Sequence, residues 1–164
     1  MIRRHLLALL GTSFGTVGLA PKVIAATPTA DSLAITPLRL SEAEWKKRLT
    51  PAQFDVLRKE GTERPQSSPL NAEKRTGTYH CAGCDLPLFA STSKYESGTG
   101  WPSFFSALPG ALVTKTDFKM VFPRTEYHCA RCEGHQGHVF NDGPKPSGKR
   151  YCNNGVALQF KAAA

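Results

Sequence analysis

The side chains of this chain best suited to chemistry are its five cysteines and five histidines. Four of the cysteines fall in two copies of one motif. "TYHCAGC" at residues 78–84 and "EYHCARC" at residues 126–132 share Y-H-C-A-x-C at a separation of 48 residues. Each copy supplies two thiols spaced so that a tight turn aims both at one ion. Two such turns brought together give the tetrahedral four-sulfur shell that Zn²⁺ accepts. Cys81, Cys84, Cys129 and Cys132 are therefore expected to hold one Zn²⁺ per chain. A closed tetrathiolate stabilises a fold rather than catalysing, with apparent binding energy on the order of 10 kcal/mol or more. The gap between the pairs is longer than in a compact zinc ribbon, so the site should clamp two distant parts of the domain. Two alternatives stay open: a pair of disulfides, which an exported protein can form, and a Cys₃His shell drawing on His80 or His128. Alternation along a strand argues against the second, because it turns each histidine away from the cysteine that follows.

The fifth cysteine stands apart, in "RYCNNGVALQF" at residues 150–160. Read as one strand, this segment places Arg150, Cys152, Asn154, Val156, Leu158 and Phe160 on one side, a buried face whose polar end emerges into a pocket. A cation two residues away on that face is expected to lower the thiol pKa and favour the nucleophilic thiolate. The plain alternative is a buried, inert core cysteine. Two further runs weigh against it. "GHQGHVFNDG" carries His135 and His138 around the pliable Gly137, so that both imidazoles can face one small space. "SGTGWPSF" sets Trp101 between Gly100 and Pro102, with Gly98 close by. Close backbone approach and an extended residue before proline can then present the indole face to a ligand.

These residues need a frame. "SEAEWKKRL" from Ser41 and "TPAQFDVLRKEG" from Thr50 each open with an N-cap residue, the second with Pro51 at the first helical position and Gly61 as its stop, so two short helices are expected. Trp45 with Leu49, and Phe54 with Leu57, give each an apolar face. From Gly77 onward come short runs rich in Tyr, Phe, Val and Thr, punctuated by Gly and Pro ("GTYHC", "LPLFAS", "ALVTKTD", "KMVFPRTEYHC", "HVFNDG"). This is the pattern of antiparallel β-structure, and without a long helical period after residue 61 a parallel α/β sheet is excluded.

Residues 1–26 read as an address rather than structure, with a basic start containing Arg3 and Arg4, an apolar run, and small residues suited to cleavage after Ala25 or Ala26. The paired arginines favour the twin-arginine route of bacterial export. That implies a periplasmic protein with no stable membrane span after cleavage. Residues 27–40 mix Pro, Thr and Ala without period and are expected to form a flexible leader, leaving one domain at 41–164. The whole chain carries a net charge of +8; without residues 1–26, 18 basic side chains face 13 acidic ones. Because the basic residues are scattered, the excess argues for solubility and against nucleic-acid binding.

The run from about residue 41 to 161 resembles the B-type methionine sulfoxide reductases, which act on the R epimer at sulfur, through "SGTGWPSF", "GHQGHVFNDGP", "RYCNNG" and both C-x-x-C pairs in the family order. The resemblance implies a mainly β fold of two antiparallel sheets in a tent-like arrangement, with short N-terminal helices and a zinc site away from the active site. It implies that Cys152 attacks the sulfoxide sulfur and that His135 or His138 helps protonate the departing oxygen, leaving a sulfenic acid on the enzyme. Trp101 would cradle the substrate methyl, and Arg150, Asn154 and Asp142 would orient the pocket. The substrate would be oxidised proteins or free methionine-(R)-sulfoxide, the electron donor a thioredoxin-like protein or a small thiol, and the molecule a monomer. The chain departs from many members at Thr99, where they carry a cysteine that resolves the sulfenic acid. With four thiols committed to zinc, either an external thiol reductant completes the cycle or a ligand cysteine leaves the metal. Two rival functions remain: a non-catalytic zinc-stabilised binding module, and a Cys/His hydrolase.

Overall fold

Two short helices lead into the β-structure, each closed at its start by a reciprocal cap. The computed structural model describes residues 35–118 and 123–164. The expected export signal, the leader up to residue 34 and the start of the run at 119–122 lie outside the described residues. Ser41 and Glu44 form a capping box at the start of α1 (Glu42–Arg48), and Thr50 and Gln53 form another at α2 (Pro51–Lys59), with Pro51 in the first turn. The residue that ends α2 is Glu60, in the left-handed conformation at φ 56°, rather than Gly61. Trp45, Leu49, Phe54 and Leu57 are all buried, as the spacing requires. Ile35, Leu38 and Leu40 pack against the same core, with the Leu38 N–H donating to the Arg131 carbonyl at 2.7 Å.

All strand pairings among the described residues are antiparallel and fall into two sheets. β1 (Gly77–Cys81), β2 (Pro87–Ala90) and β9 (Leu158–Ala162) form the smaller, in the order β2-β1-β9. The larger is built from β3 (Lys94–Tyr95), β4 (Ser103–Phe104), β5 (Leu112–Asp117), β6 (Arg124–Cys129), β7 (His135–Phe140) and β8 (Arg150–Asn153), in the order β3-β4-β8-β7-β6-β5. The sheets meet through aromatic rings. Phe89 of β2 stacks on Phe104 of β4 at 4.2 Å, Tyr79 of β1 meets Phe104 edge-on at 4.9 Å, and Tyr127 and Tyr151 close the cluster at 5.4 Å. Such pairs contribute about 0.5–1.5 kcal/mol each beyond their burial.

The segment read as one strand over residues 150–160 is two strands in different sheets. After Asn153 the chain leaves the larger sheet, makes a 3₁₀ turn at Gly155–Ala157 and enters the smaller one as β9. The break is fixed from a distance: the Glu63 carboxylate accepts the N–H of Gly155 at 2.5 Å and of Val156 at 2.9 Å. At Gly155 a Cβ would lie 2.0 Å from the Ser68 hydroxyl, so the turn requires glycine.

Candidate active site and candidate metal centre

The duplicated motif folds into duplicated turns. β1 ends at Cys81 and β6 at Cys129, and in each the tyrosine and the cysteine point into the core while the histidine between them faces the other way. The likeness extends past the matching letters. Asp85 and Glu133, each four residues after the first cysteine, both adopt a left-handed backbone at φ 64° and 57°. The Cys81 N–H donates to the Leu86 carbonyl and the Cys129 N–H to the Gly134 carbonyl, both at 2.9 Å. His80 and His128 each direct Nδ1 onto the carbonyl of that left-handed residue, at 3.0 and 3.1 Å. Tied to backbone in this way, neither histidine belongs to the thiol cluster.

The four Sγ atoms lie within 4.8 Å of one another, with Cys81 to Cys132 at 3.6 Å and Cys84 to Cys129 at 3.4 Å. A tetrahedral Zn²⁺ with Zn–S near 2.3 Å sets sulfurs about 3.8 Å apart, so the cluster fits that ion. No pair is bonded as a disulfide. The thiols also control one another's protons: Cys81 and Cys132 are pushed up and Cys84 is pulled down, chiefly by hydrogen bonding to Cys129, while Cys129 is pulled down chiefly by Cys132. Gln136, fully buried, donates to Cys81 Sγ at 3.3 Å and gives its backbone carbonyl to the Asn154 side chain at 3.0 Å. One residue therefore links the metal centre to the pocket described next.

Cys152 lies half-buried on β8, directly across from His138 of β7 and Ser103 of β4. The β7–β8 approach depends on Gly137, where a Cβ would sit 1.9 Å from the Cys152 carbonyl oxygen. Trp101, His138, Phe140, Arg124, Thr62, Asn153 and Asn154 join Cys152 around a pocket of about 140 Å³, room for a small group rather than a whole ligand. The Trp101 indole N–H donates to the Glu63 carbonyl at 3.2 Å, which fixes the ring at the mouth. His138 Nε2 donates to the Asp117 carboxylate at 2.9 Å, and that carboxylate also accepts Arg124 at 2.7 Å. Nδ1 is then the nitrogen of His138 available to a ligand.

Arg150 acts on the thiol as its place on the face implies, but it does not prevail. Burial raises the Cys152 pKa, and the Thr99 hydroxyl and Arg150 oppose it without reversing it. Burial is the largest cause, and Asp142, which holds Arg150 through two hydrogen bonds at 2.8 and 2.7 Å, adds a smaller push in the same direction. The expectation of a lowered thiol pKa is corrected accordingly: at neutral pH the resting group is a thiol. Thr99 Oγ1 stands 3.9 Å from Cys152 Sγ, next to the nucleophile candidate but unable to form a disulfide with it.

Comparison with known proteins follows from this geometry. The SelR domain model matches residues 49–162. The chain belongs to the SelR family of B-type methionine sulfoxide reductases. It is 52% identical over 119 residues to a peptide methionine sulfoxide reductase MsrB of Pseudomonas putida, covering 72% of this chain and 90% of that protein. It is 50% identical over 138 residues to methionine-R-sulfoxide reductase B2, mitochondrial, of Rattus norvegicus, covering 79% of each. Against peptide methionine sulfoxide reductase B1, chloroplastic, of Arabidopsis thaliana the identity is 51% over 75% of this chain, which spans only 61% of that longer protein. Among solved structures, the Mis18 'Yippee-like' domain aligns with TM-score 0.42 at 17% identity over 55% of this chain and 99% of that one, a likeness too distant to bear on function.

Within this reductase chain the sequence-selected residues divide into three places. Cys152, His138, Trp101 and Asn154 line the pocket. Arg150 and Asp142 pair beside it, with the guanidinium over the Phe140 ring at 4.3 Å. His135 lies 5.5 Å from His138, ring to ring, but is 1% exposed and faces Glu126 and His128 instead of the pocket. Burial, aided by His128 and His138, pushes its pKa down to about 4. Asp117, Arg124 and Glu63 were not selected from the sequence. Asp117 and Arg124 are opposite charges paired across β5 and β6, a signal visible only once the register is known. Glu63, in a loop, gave none.

Proposed function

We propose that this protein reduces methionine-(R)-sulfoxide, principally in oxidised proteins of the cell envelope, through a sulfenic acid on Cys152 that an external thiol then reduces. The observation that carries the reading is the convergence of Cys152, His138 and Trp101 on one small pocket within a chain of this family. The indole face and Phe140 supply an apolar seat for the methyl group, and a pocket of this size admits little more than the sulfoxide head. The rest of a protein substrate stays outside.

Cys152 Sγ attacks the sulfoxide sulfur to form an S–S bond as the S–O bond breaks, and the oxygen leaves as water with one proton from Nδ1 of protonated His138 and one from the thiol. Water then attacks Cys152 Sγ, the S–S bond breaks with its electron pair returning to the methionine sulfur, and a proton goes back to His138. In sum, thiol and sulfoxide become sulfenic acid and thioether, and methionine leaves reduced. Two molecules of a thiol, or one dithiol, then return the sulfenic acid to thiol with loss of water and formation of a disulfide on the donor. Thr99 cannot resolve the sulfenic acid internally. The bound Zn²⁺ would supply a fixed clamp between the ends of β1 and β6 rather than chemistry.

The decisive test exposes wild-type protein to one equivalent of R-sulfoxide without reductant, followed by dimedone and mass analysis. Label on Cys152 with methionine formed and zinc retained is expected. A disulfide joining Cys152 to Cys81, Cys84, Cys129 or Cys132, with metal released, would refute the scheme. We also propose that residues 1–26 form a twin-arginine export signal and that the leader expected at 27–40 joins it to the domain at 41–164, its last residues packed on the core through Ile35, Leu38 and Leu40. Arg3→Lys with Arg4→Lys should then leave precursor in the cytoplasm, and normal export of that variant would overturn the route.

A further inference from the structure

The two copies of the turn differ in one respect that the tetrathiolate does not explain. Because a carbonyl only accepts, the bond from His128 to the Glu133 carbonyl places a proton on Nδ1, and Nε2 is the ring nitrogen left facing Glu126. That Nε2 is buried without a hydrogen-bond partner and lies 3.4 Å from Glu126 Oε1. The same carboxylate oxygen accepts the Lys115 ammonium at 3.0 Å, so His128 Nε2 looks onto a carboxylate whose charge is met from the solvent side. Across the β6–β7 ladder His135, the register partner of His128, brings Nδ1 to 3.3 Å from Glu126 Oε2, and neither of its ring nitrogens has a hydrogen-bond partner. Glu126 is 2% exposed, His128 9% and His135 1%. Two buried imidazoles thus turn unpartnered nitrogens toward one buried carboxylate.

We propose that Glu126, His128 and His135 form a second metal site, separate from the four thiols, that takes a borderline divalent first-row cation such as Zn²⁺ or Co²⁺. The donor set is two imidazoles and a carboxylate, the kind that binds such ions with coordination positions left open. All three donor atoms lie within 4.8 Å of one another. A tetrahedral ion with ligands near 2.0–2.1 Å sets neighbouring donors about 3.3 Å apart. His128 Nε2 and His135 Nδ1 stand 3.4 and 3.3 Å from opposite oxygens of the Glu126 carboxylate, which must turn to present one of them to the ion. The Nδ1 bond of His128 to the Glu133 carbonyl is the outer hydrogen bond that fixes tautomer and ring orientation in metal-binding histidines.

Lys115 defines the strength and the entrance. Its ammonium sits 3.0 Å from Glu126 Oε1 and also reaches Glu60 at 3.1 Å, while its side chain is 60% exposed. It neutralises part of the carboxylate and must swing outward for a cation to enter. The second site therefore binds more weakly than the tetrathiolate and empties first under a chelator. His135 separates it from the catalytic pocket, with the His138 ring 5.5 Å beyond.

The test uses the full chain with zinc in the four-thiol site, dialysed against a mild chelator and then titrated with Co²⁺. Wild-type protein should take up one further equivalent, with nitrogen–oxygen cobalt absorption and without sulfur-to-cobalt charge transfer. Imidazole NMR of the same wild-type sample, titrated with Zn²⁺, should shift the His128 and His135 resonances and leave those of His80 unchanged. His128→Asn and Glu126→Gln should each lose the added equivalent while keeping the first zinc. Saturation of wild-type protein at one metal, no response of the His128 and His135 resonances, or a full second equivalent in His128→Asn would each overturn the site.

Discussion

Replacement of Asp117 by asparagine isolates the group that holds His138. Asp117 is 4% exposed and, among the described residues, accepts hydrogen bonds from His138 Nε2 at 2.9 Å and Arg124 at 2.7 Å. The asparagine oxygen can still accept from one of them, so shape and volume survive while the negative charge is lost. A hydrogen bond between charged groups is worth roughly 1.5–3 kcal/mol against about 1 for a neutral one. Arg124 shares the carboxylate, so the loss felt at His138 is about 1 kcal/mol, or roughly fivefold in rate at 1.4 kcal/mol per decade. The loss should fall on kcat, because Asp117 touches His138 and does not line the pocket, and KM should change little. The assay is steady-state reduction of methionine-(R)-sulfoxide with dithiothreitol, alongside zinc content and thermal unfolding. A variant that retains zinc and fold with kcat within about threefold of wild type would refute the role of Asp117 in holding the acid.

Three other outcomes follow from the geometry. Cys81→Ser should release zinc and abolish cooperative unfolding, since a site worth on the order of 10 kcal/mol rivals the whole stability of a domain; a metal-free variant with an unchanged melting transition would contradict this. Thr99→Cys should form an internal disulfide with Cys152 after one turnover, because the Thr99 hydroxyl is already 3.9 Å from that sulfur and closure to about 2.05 Å needs only a local shift; mass analysis showing persistent sulfenic acid would count against it. The thiol Cys152, held up by burial and by Asp142, should react slowly with iodoacetamide at pH 7 and faster as pH rises. Asp142→Asn frees Arg150 to lower the thiol pKa and should speed labelling at pH 7, whereas a slower reaction would reverse the assigned sign.

The four-cysteine cluster was legible because its signal is local and written twice: Y-H-C-A-x-C carries the cysteines, the strand that delivers them and the turn between them. The nature of the sheets was legible for a related reason, since short aromatic and β-branched runs allow few other structures. The single strand expected at 150–160 failed on a turn signal within it, Asn153-Asn154-Gly155, whose effect depends on a carboxylate from residue 63 reaching the freed N–H groups. The electrostatics of Cys152 failed in the same way. Its neighbour Arg150 is visible on the face, but the grip of Asp142 and the extent of burial belong to the folded packing. His135 and His138, equivalent in the sequence, differ in what the register sets across from them: the irregularity in the β6–β7 ladder pairs His135 with His128, while His138 lies opposite Cys152 and lines the pocket.

The most direct test is epimer-resolved turnover. Wild-type protein and Cys152→Ser are each given pure R or pure S methionine sulfoxide, free and within an oxidised protein, with dithiothreitol as donor, and methionine is quantified. Wild type should reduce the R epimer, leave the S epimer untouched and consume one equivalent of dithiol per methionine, while Cys152→Ser, folded and zinc-loaded, should produce none. Equal reduction of both epimers, or substantial methionine from Cys152→Ser, would contradict the assignment of Cys152 as the nucleophile of an R-specific reductase.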